Sequence, residues 1–302
     1  MWPGVSFRRR EFAVVDSLVA VFFLDRESCE NTFQIIDAVL RYLRFIGPRR
    51  IHYYLNEAGF PCKVVDLDNV LSHYLSRKGD DLREVNLVML DSNTYEHHFQ
   101  LQYHHVPVAA DPDDKRKSVL FLQFSKSGIE AGGLDAAVAF SRDLATQLPY
   151  ASGYVSPALV YGSAIGKAWP YAIRHPGFDI ADPVAVAKDL EDRLPGVYWL
   201  NFLGPRLCEK LGGYAEIHSV LPQGTQTMLT NQGGVTIQLG MSPEVGDIAY
   251  AHDMPLYQVV AKQLQDHIHI PEDVYFHDIP LACDRDAQLA WHRRYLWSKE
   301  HG

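Results

Sequence analysis

The sequence predicts an α+β fold with mixed, largely antiparallel sheets and packed helices. Residues 97–124 and 225–240 each have the pattern of two strands joined by a turn, and such hairpins require antiparallel pairing. Helical and strand-like patterns alternate along the rest of the chain. With 302 residues, of which 47% are hydrophobic, the chain can bury a large core. We predict one domain over residues 1–302, with two intimate subdomains, about 1–117 and 118–302, as the alternative.

The first half of the chain is predicted to begin with a buried strand. Its apolar run at 17–24 follows Arg8-Arg9-Arg10, but Glu11 and Asp16 interrupt the approach and no small-residue cleavage site follows, which argues against a signal peptide. A helix follows, because apolar residues from Phe33 to Leu43 recur at helical spacing. The predicted elements are a strand at about 12–24, helices at about 31–46 and from Asp68 or Asn69 onward, and strands at 85–91, 97–105 and 118–125.

The second half is predicted to mix helices with strands in the same way. Pro149 should end the first helix, and Asp182 is a suitable N-cap for a helix with Pro183 in its first turn. Gly212 suits a left-handed helix C-cap. The predicted elements are a helix from Leu134 to Leu148, a strand "AWPYAIR" at 168–174, a helix after Asp182, a strand at 196–204, a short helix from Pro205 and a C-terminal helix from Asp284.

Charge and cysteine content exclude several classes of function. The 28 Lys and Arg residues against 37 Asp and Glu give a formal charge of −9, which repels nucleic-acid phosphates and argues against direct nucleic-acid binding. No apolar run approaches the roughly 20 residues that span a bilayer. The four cysteines are far apart and lack a CxxC spacing, so we expect free thiols in a reducing compartment. These features predict a cytoplasmic chain without a membrane segment.

A search for catalytic motifs leaves no reaction to name. "VYGSAIGKA" at 160–168 resembles a phosphate loop, but it has three residues where the loop needs four between Gly162 and Gly166, and Ala168 replaces the magnesium-binding Ser or Thr. The GxSxG, HExxH, GxGxxG and EF-hand patterns are absent. We predict no catalytic residue, no cofactor and no bound metal.

Two groups of histidines raise the question of a metal site. Residues two apart on a strand share a face, so His267 and His269 could bind zinc together. The favoured interpretation is that these histidines are partly exposed and hydrogen-bonded to neighbours, because a metal site also needs a third ligand and oriented acceptors. The two groups are His97, His98, His104 and His105, and His267, His269 and His277.

"RHPGFDIADP" at 174–183 contains a candidate acid/base cluster. The Pro-Gly turn could bring Asp179 back toward His175, with Arg174 beside them. The favoured interpretation is structural, with a turn at Pro176-Gly177 and with Asp179 bonded to turn amides.

Three motifs in order resemble one known family. They are "RHPGFDI" at 174–180, "PGVYWLNFLGPRLCEKLGG" at 195–213 and "GGVTIQLGMSPEVGD" at 233–247. The chain resembles the TsiV-like type VI secretion immunity family, most strongly over about residues 118–265. The resemblance implies a protein without enzymatic activity that binds and neutralises an antibacterial effector, expected to be a nuclease, by occluding its active or substrate-binding site.

An acidic protein suits such a partner, because a toxin that acts on DNA commonly presents a basic groove. The candidate partner-binding residues are Asp111, Asp113 and Asp114 in a charged turn, and Asp189, Glu191 and Asp192 on the helix before Pro195. A solvated surface is the other interpretation of these carboxylates.

The alternative functions are a metal-dependent hydrolase that uses the histidines and, ranked last, a binder of small ligands or carbohydrate with an aromatic-lined pocket. A homo-oligomer is left open.

Overall fold

The computed structural model describes residues 14–25, 32–47, 49–75, 84–94, 97–107, 115–125, 133–161, 165–180, 182–271 and 285–296. Ten strands of this part of the chain form one sheet. They are β1 (Val14–Leu24), β2 (Tyr53–Leu55), β3 (Pro61–Lys63), β4 (Val85–Leu90), β5 (Gln100–His105), β6 (Ser118–Ser125), β7 (Tyr150–Tyr161), β8 (Leu200–Leu203), β9 (Thr225–Leu229) and β10 (Val235–Leu239).

All neighbouring strands in the sheet are antiparallel, in the order β3-β2-β4-β5-β6-β1-β7-β8-β10-β9. Both predicted hairpins are present: Tyr103 of β5 pairs with Leu120 of β6, and Thr227 of β9 pairs with Ile237 of β10. The predicted α+β class is therefore confirmed. The suggested subdomain boundary at 117/118 falls between the paired strands β5 and β6, and the division itself stays a prediction.

Nine α-helices lie in the described ranges, together with 3₁₀ helices at Ile248–Tyr250 and Gln265–His267. The helices are α1 (Thr32–Ile46), α2 (Leu67–Leu75), α3 (Leu134–Ala145), α4 (Ile165–Arg174), α5 (Pro183–Val186), α6 (Pro205–Lys210), α7 (Gly213–Val220), α8 (Pro255–Gln263) and α9 (Arg285–His292). None of them is long and apolar enough to cross a membrane.

The sheet has a buried cluster of side chains on each face. Alternate residues of β1 enter different clusters, with Leu18 and Phe22 in the larger one and Val21 and Phe23 in the smaller one. The smaller cluster is completed by residues in and after α5. The larger cluster includes Tyr42 of α1, Leu71 of α2, Val138 of α3, Trp169 of α4, Leu207 of α6, Ile217 of α7, Tyr257 of α8 and Trp291 of α9.

Several predicted elements are confirmed almost residue for residue. The first helix spans Thr32–Ile46 and ends before Gly47, which has a φ of 101°. Pro205 opens α6, and Gly212 adopts the left-handed conformation that was predicted for it. The C-terminal helix places Trp291 in the core, 6.5 Å from Trp169 between ring centroids, while Asp284 and Trp297 lie outside the described residues.

Other predictions need correction. The segment 168–174 is part of helix α4, because residues spaced three and four apart, such as Ile165, Ala168 and Ala172, are all buried. Pro170 lies inside the helix, and because proline has no N–H to donate to the preceding turn, it argues in the sequence against a helix. Helix α2 begins earlier than predicted, and the carboxylate of Asp66 accepts the Asn69 N–H at 3.1 Å.

The predicted strand at 196–204 is shorter than expected. Only Leu200–Leu203 pair as a strand, although the preceding residues are also buried. Asn201 holds that irregular approach, since its Oδ1 accepts the Tyr198 N–H at 2.9 Å and its Nδ2 donates to the Tyr198 carbonyl at 2.7 Å. Within α1, Phe33 is exposed and not part of the predicted apolar face.

Gly204 provides a test of the close packing around β8. A Cβ atom at this position would lie 2.3 Å from the carbonyl oxygen of Tyr150 and 2.5 Å from that of Ala151, both backbone atoms of β7. We expect Gly204→Ala to lower the free energy of unfolding by about 3 kcal/mol, because the strands must separate. Gly59→Ala is the control: its Cβ would meet nothing within 4 Å, so it should lose only the roughly 1 kcal/mol of its left-handed backbone. Chemical denaturation measures both, and equal losses would contradict the packing argument.

Candidate functional site

The three family motifs of the sequence meet in one place. A Cβ at Gly177 would lie 2.2 Å from the carbonyl oxygen of Glu244, and the Gly177 N–H donates to the carbonyl of Val245 at 2.9 Å. The first and third motifs are therefore in backbone contact, and glycine is required at this crossing. The second and third motifs are paired strands, with Phe202 opposite Thr236. The motifs thus build a shared scaffold.

Each member of the candidate acid/base cluster has a different partner in that scaffold. Arg174 donates from Nε and Nη2 to the two carboxylate oxygens of Asp247, at 2.9 and 2.7 Å. His175 Nδ1 lies 2.7 Å from the carbonyl oxygen of Gly246. Asp179 Oδ2 accepts the hydroxyl of Tyr154 at 2.7 Å, so this carboxylate contacts a tyrosine where turn amides were predicted. These contacts describe a structural turn.

Asp179 lies beside a group of aromatic rings that holds the C-terminal segment. The rings of Tyr154 and Tyr198 stack with centroids 3.8 Å apart. The guanidinium of Arg294 lies 4.0 Å from the Trp291 ring centroid, and its Nε donates to the carbonyl of Pro176 at 2.8 Å. Burial alone would lower the pKa of Arg294, but neighbouring tyrosines and Asp179 raise it above its ordinary value. The group ties α9 to the first motif.

The histidines have ordinary structural surroundings. His97 Nδ1 lies 3.9 Å from Asp91 Oδ1, and His269 Nε2 lies 3.2 Å from Asp189 Oδ1. Burial is the main cause that lowers the pKa of both imidazoles, against the opposing effect of the carboxylates. Among the residues that the structure describes, no group of three or more His, Cys, Asp or Glu could hold a metal ion. His277 lies outside those residues.

The cysteines and the phosphate-loop segment are only partly described. Cys62 and Cys208 are free thiols, and Cys29 and Cys283 lie outside the described ranges. Residues 162–164 of the phosphate-loop segment also lie outside them, and α4 begins at Ile165.

Half of the candidate partner-binding carboxylates can be placed. Asp111, Asp113 and Asp114 lie outside the described residues. The other three belong to the acidic segment, residues 189–192, which consists of turns after α5, because that helix ends at Val186 and does not continue to Pro195. The predicted cap is present, since Asp182 Oδ1 accepts the Val184 N–H at 2.9 Å.

Basic side chains from elsewhere in the chain contact the acidic segment. Lys117 Nζ lies 2.9 Å from carboxylate oxygens of both Asp192 and Asp25, and Lys115 Nζ lies 2.6 Å from Glu191 Oε1. Lys210 Nζ also contacts Asp192, at 3.3 Å. Burial alone would raise the pKa of Asp192, but the two lysines hold it below its ordinary value. Much of the segment's negative charge is therefore compensated inside the molecule.

A polar cleft of about 460 Å³ opens on the face of the sheet next to α5. Amide side chains of β4 and β5 line it, and Gln102 Nε2 donates to Asn86 Oδ1 at 3.0 Å. Phe121 and Tyr161 are its aromatic lining residues. This lining differs from the pocket with several aromatic residues that a carbohydrate binder would need.

An exposed apolar feature was missed by the sequence analysis. Residues 247–252, which we name the 247–252 tip, present Ile248 and Tyr250 to solvent with 56% and 79% of their surface exposed. A short apolar stretch between acidic residues, "DIAYAHD", was the available signal. It was overlooked because it has the period of neither a helix nor a strand.

Comparison with known proteins identifies the class of this scaffold. The family model described as "Type VI immunity for VRR-NUC" matches residues 34–295. The chain therefore belongs to the TsiV family of type VI immunity proteins, as the motifs predicted. No curated protein sequence matches the chain.

Solved structures support the fold. Four chains match, among them the Pseudomonas aeruginosa T6SS protein PA0821, which is similar with a TM-score of 0.76 and 15% sequence identity. The match covers 95% of this chain and 83% of that protein. At this identity the similarity extends to the fold.

Lys117 gives a test of the ion pairs around the acidic segment. We expect Lys117→Met to lower the free energy of unfolding at neutral pH by about 2 kcal/mol, because Asp25 and Asp192 lose a buried cation. Lys115→Met, whose partner Glu191 is more exposed, should lose less than about 0.5 kcal/mol.

The effect of Lys117→Met should depend on pH in one direction. Because the pKa of Asp192 is lowered on folding, its contribution is present above the ordinary aspartate pKa and is lost as pH falls through the lowered value. The loss of unfolding free energy caused by Lys117→Met should therefore shrink below about pH 4, as measured by urea denaturation of the wild type and both variants. A difference that stays constant with pH would mean that packing of the lysine stem, and not its charge, stabilises the fold.

Proposed function

We propose that this chain binds a type VI effector with a VRR-NUC nuclease domain and neutralises it by covering its active or substrate-binding site. The observation that carries the proposal is the family match over residues 34–295. The protein acts by binding alone. Because DNA is the expected target of such an effector, the proposed place of neutralisation is the cytoplasm.

The negative net charge of this chain supports the proposal that it covers the nuclease groove. A nuclease must attract phosphates, so the surface around its active site is expected to be basic, and a partner with a net charge of −9 is steered toward it. A bound acidic protein would also repel the DNA that competes for the same surface. Electrostatic steering of this kind raises the association rate more than it raises affinity.

The candidate carboxylates are proposed to face the effector. The two sets of carboxylates are proposed to act together, and Lys115, which follows Asp114 in the sequence, bonds to Glu191. Asp192 contacts two lysines, Lys117 and Lys210, and is proposed to stabilise the segment, whereas Asp189 and Glu191 are proposed to face the effector. Within the family, TsiT, the immunity partner of the nuclease effector TseT, is the finer assignment that we propose, although the three motifs do not separate it from its relatives. A homo-oligomer also stays a proposal.

Binding can be tested with the effector domain encoded beside the gene, with its catalytic residue disabled, and an unrelated toxin domain as control. We expect selective binding with a nanomolar dissociation constant, about 12 kcal/mol. The active effector should also lose its nuclease activity when one equivalent of this chain is added. Failure to bind, together with failure to protect cells that express the effector, would overturn the proposed function.

Charge-neutralising variants test the role of the carboxylates. We expect the combined variant D111N/D113N/D114N/D189N/E191Q to associate about tenfold more slowly at low ionic strength, because steering weakens, with a smaller change in the dissociation rate. The control E57Q/D68N/E216Q neutralises exposed carboxylates in and beside α2 and in α7. Stopped-flow association at several salt concentrations measures the effect. The control removes three charges against five, so the same slowing per charge removed in both variants would show that net charge, and not this surface, steers the encounter.

A further inference from the structure

We propose that the 247–252 tip is the apolar anchor that enters a pocket on the effector. This inference rests on the proposed function and names the surface that carries it out. Side chains that dominate protein interfaces are large, accessible before binding and buried on binding. Tyr250 and Ile248 meet the first two conditions, with 79% and 56% of their surface exposed.

The tip is held rigidly at both of its ends. Asp247 and His252 exchange backbone hydrogen bonds, with N···O distances of 3.2 and 3.0 Å. Asp247 Oδ1 also accepts the Ala249 N–H at 3.0 Å and caps the 3₁₀ helix. A rigid loop loses little conformational entropy when it binds, so more of the contact energy remains as affinity.

Ala251 completes the tip in an unfavourable conformation. Its φ of 52° lies in the left-handed region, where the Cβ of an alanine crowds the following carbonyl oxygen. Such strain persists only where the surrounding structure imposes it, and strained residues cluster at functional sites. The strained turn directs the chain back toward His252 directly after the exposed Tyr250.

Arg174 orients the tyrosine. Its guanidinium carbon lies 5.5 Å from the Tyr250 ring centroid, and both of its hydrogen bonds to Asp247 fix it in place. Tyrosine and arginine are, with tryptophan, the residues most enriched among those that dominate binding energy. Arg174 is a positioning residue in this arrangement.

The base of the tip continues directly into the shared motif scaffold. The chain immediately before Asp247 passes Gly177 at backbone contact, and His175 contacts the carbonyl of Gly246. Gly246 itself has a φ of 66°. The first and third family motifs therefore do more than stabilise the sheet. They also fix the position from which Tyr250 projects.

The occupant that fits the tip is the effector, and not a second copy of this chain. Two copies each carry a charge of −9 and repel one another, whereas a nuclease surface attracts an acidic partner. The cleft of about 460 Å³ combines apolar lining residues with Asp179 and Asp182, whose carboxylates add to the repulsion of a second acidic copy.

The test compares two double variants of exposed apolar residues in the full chain. I248A/Y250A removes the anchor. M228A/L229A, on β9 at the edge of the sheet, removes side chains that are 41% and 55% exposed and serves as the control. Both variants should keep the thermal midpoint and circular dichroism of the wild type, because these side chains contribute little to the core.

Titration against the catalytically disabled effector domain should show an approximately 100-fold weaker dissociation constant for I248A/Y250A, mostly from faster dissociation. M228A/L229A should bind within about twofold of the wild type. Wild-type affinity of I248A/Y250A, or a larger loss for M228A/L229A, would overturn the inference while leaving the proposed function intact. Absence of binding by the wild type would instead overturn the proposed function.

Discussion

The sheet depends on one strand, β1, which is paired along both of its edges. In the strand order it lies between β2–β6 on one side and β7–β10 on the other, so it joins the two halves of the sheet. Its pairing with β7 runs from Val14 opposite Tyr161 to Leu24 opposite Tyr150. The two strands approach so closely that a Cβ at Gly153 would lie 2.5 Å from the Val21 carbonyl oxygen. A strand with neighbours on both edges and buried clusters on both faces is mostly apolar, here without interruption from residue 18 to residue 24, which is why this run resembles a membrane-directed segment.

Beyond β7, the family motifs extend the sheet's rigidity to the surface. The backbone of Asp179 bonds to that of β7, with the Asp179 N–H donating to the Pro157 carbonyl at 2.8 Å and the Leu159 N–H donating to the Asp179 carbonyl at 2.9 Å. Gly177 then meets the chain that leads to the 247–252 tip. The residues that identify the family therefore have packing roles that are visible in the structure. A protein whose activity is binding needs this kind of preorganisation, because flexible contacts lose affinity when they become ordered.

The elements predicted correctly are those with a strong local pattern: the apolar run of β1, the periodic helix α1, the alternation of β5 and the glycine turn between β9 and β10. Helix α4 was predicted as a strand because Pro170 disrupts its local signal, and α7 was not predicted because it begins at the second of two adjacent glycines. The ion pairs could not be predicted at all, since Lys117 is 92 residues from Asp25 and 75 from Asp192. A list of acidic residues shows where charge is present, but only the fold shows which carboxylates have a lysine partner. The exposure of Tyr250 depends likewise on contacts made by Arg174 and Gly177, far earlier in the chain.

Hydrogen exchange of this chain, free and saturated with the disabled effector domain, tests whether a preformed scaffold presents one anchoring tip. We expect slower exchange on binding in peptides that cover residues 241–254. Exchange in β1 and β7 should stay unchanged, because the scaffold does not reorganise. Protection confined to other surfaces, such as β9 or the cleft beside α5, would contradict the claim. So would a general slowing across β1 and β7, because it would mean that the chain becomes ordered only when it binds.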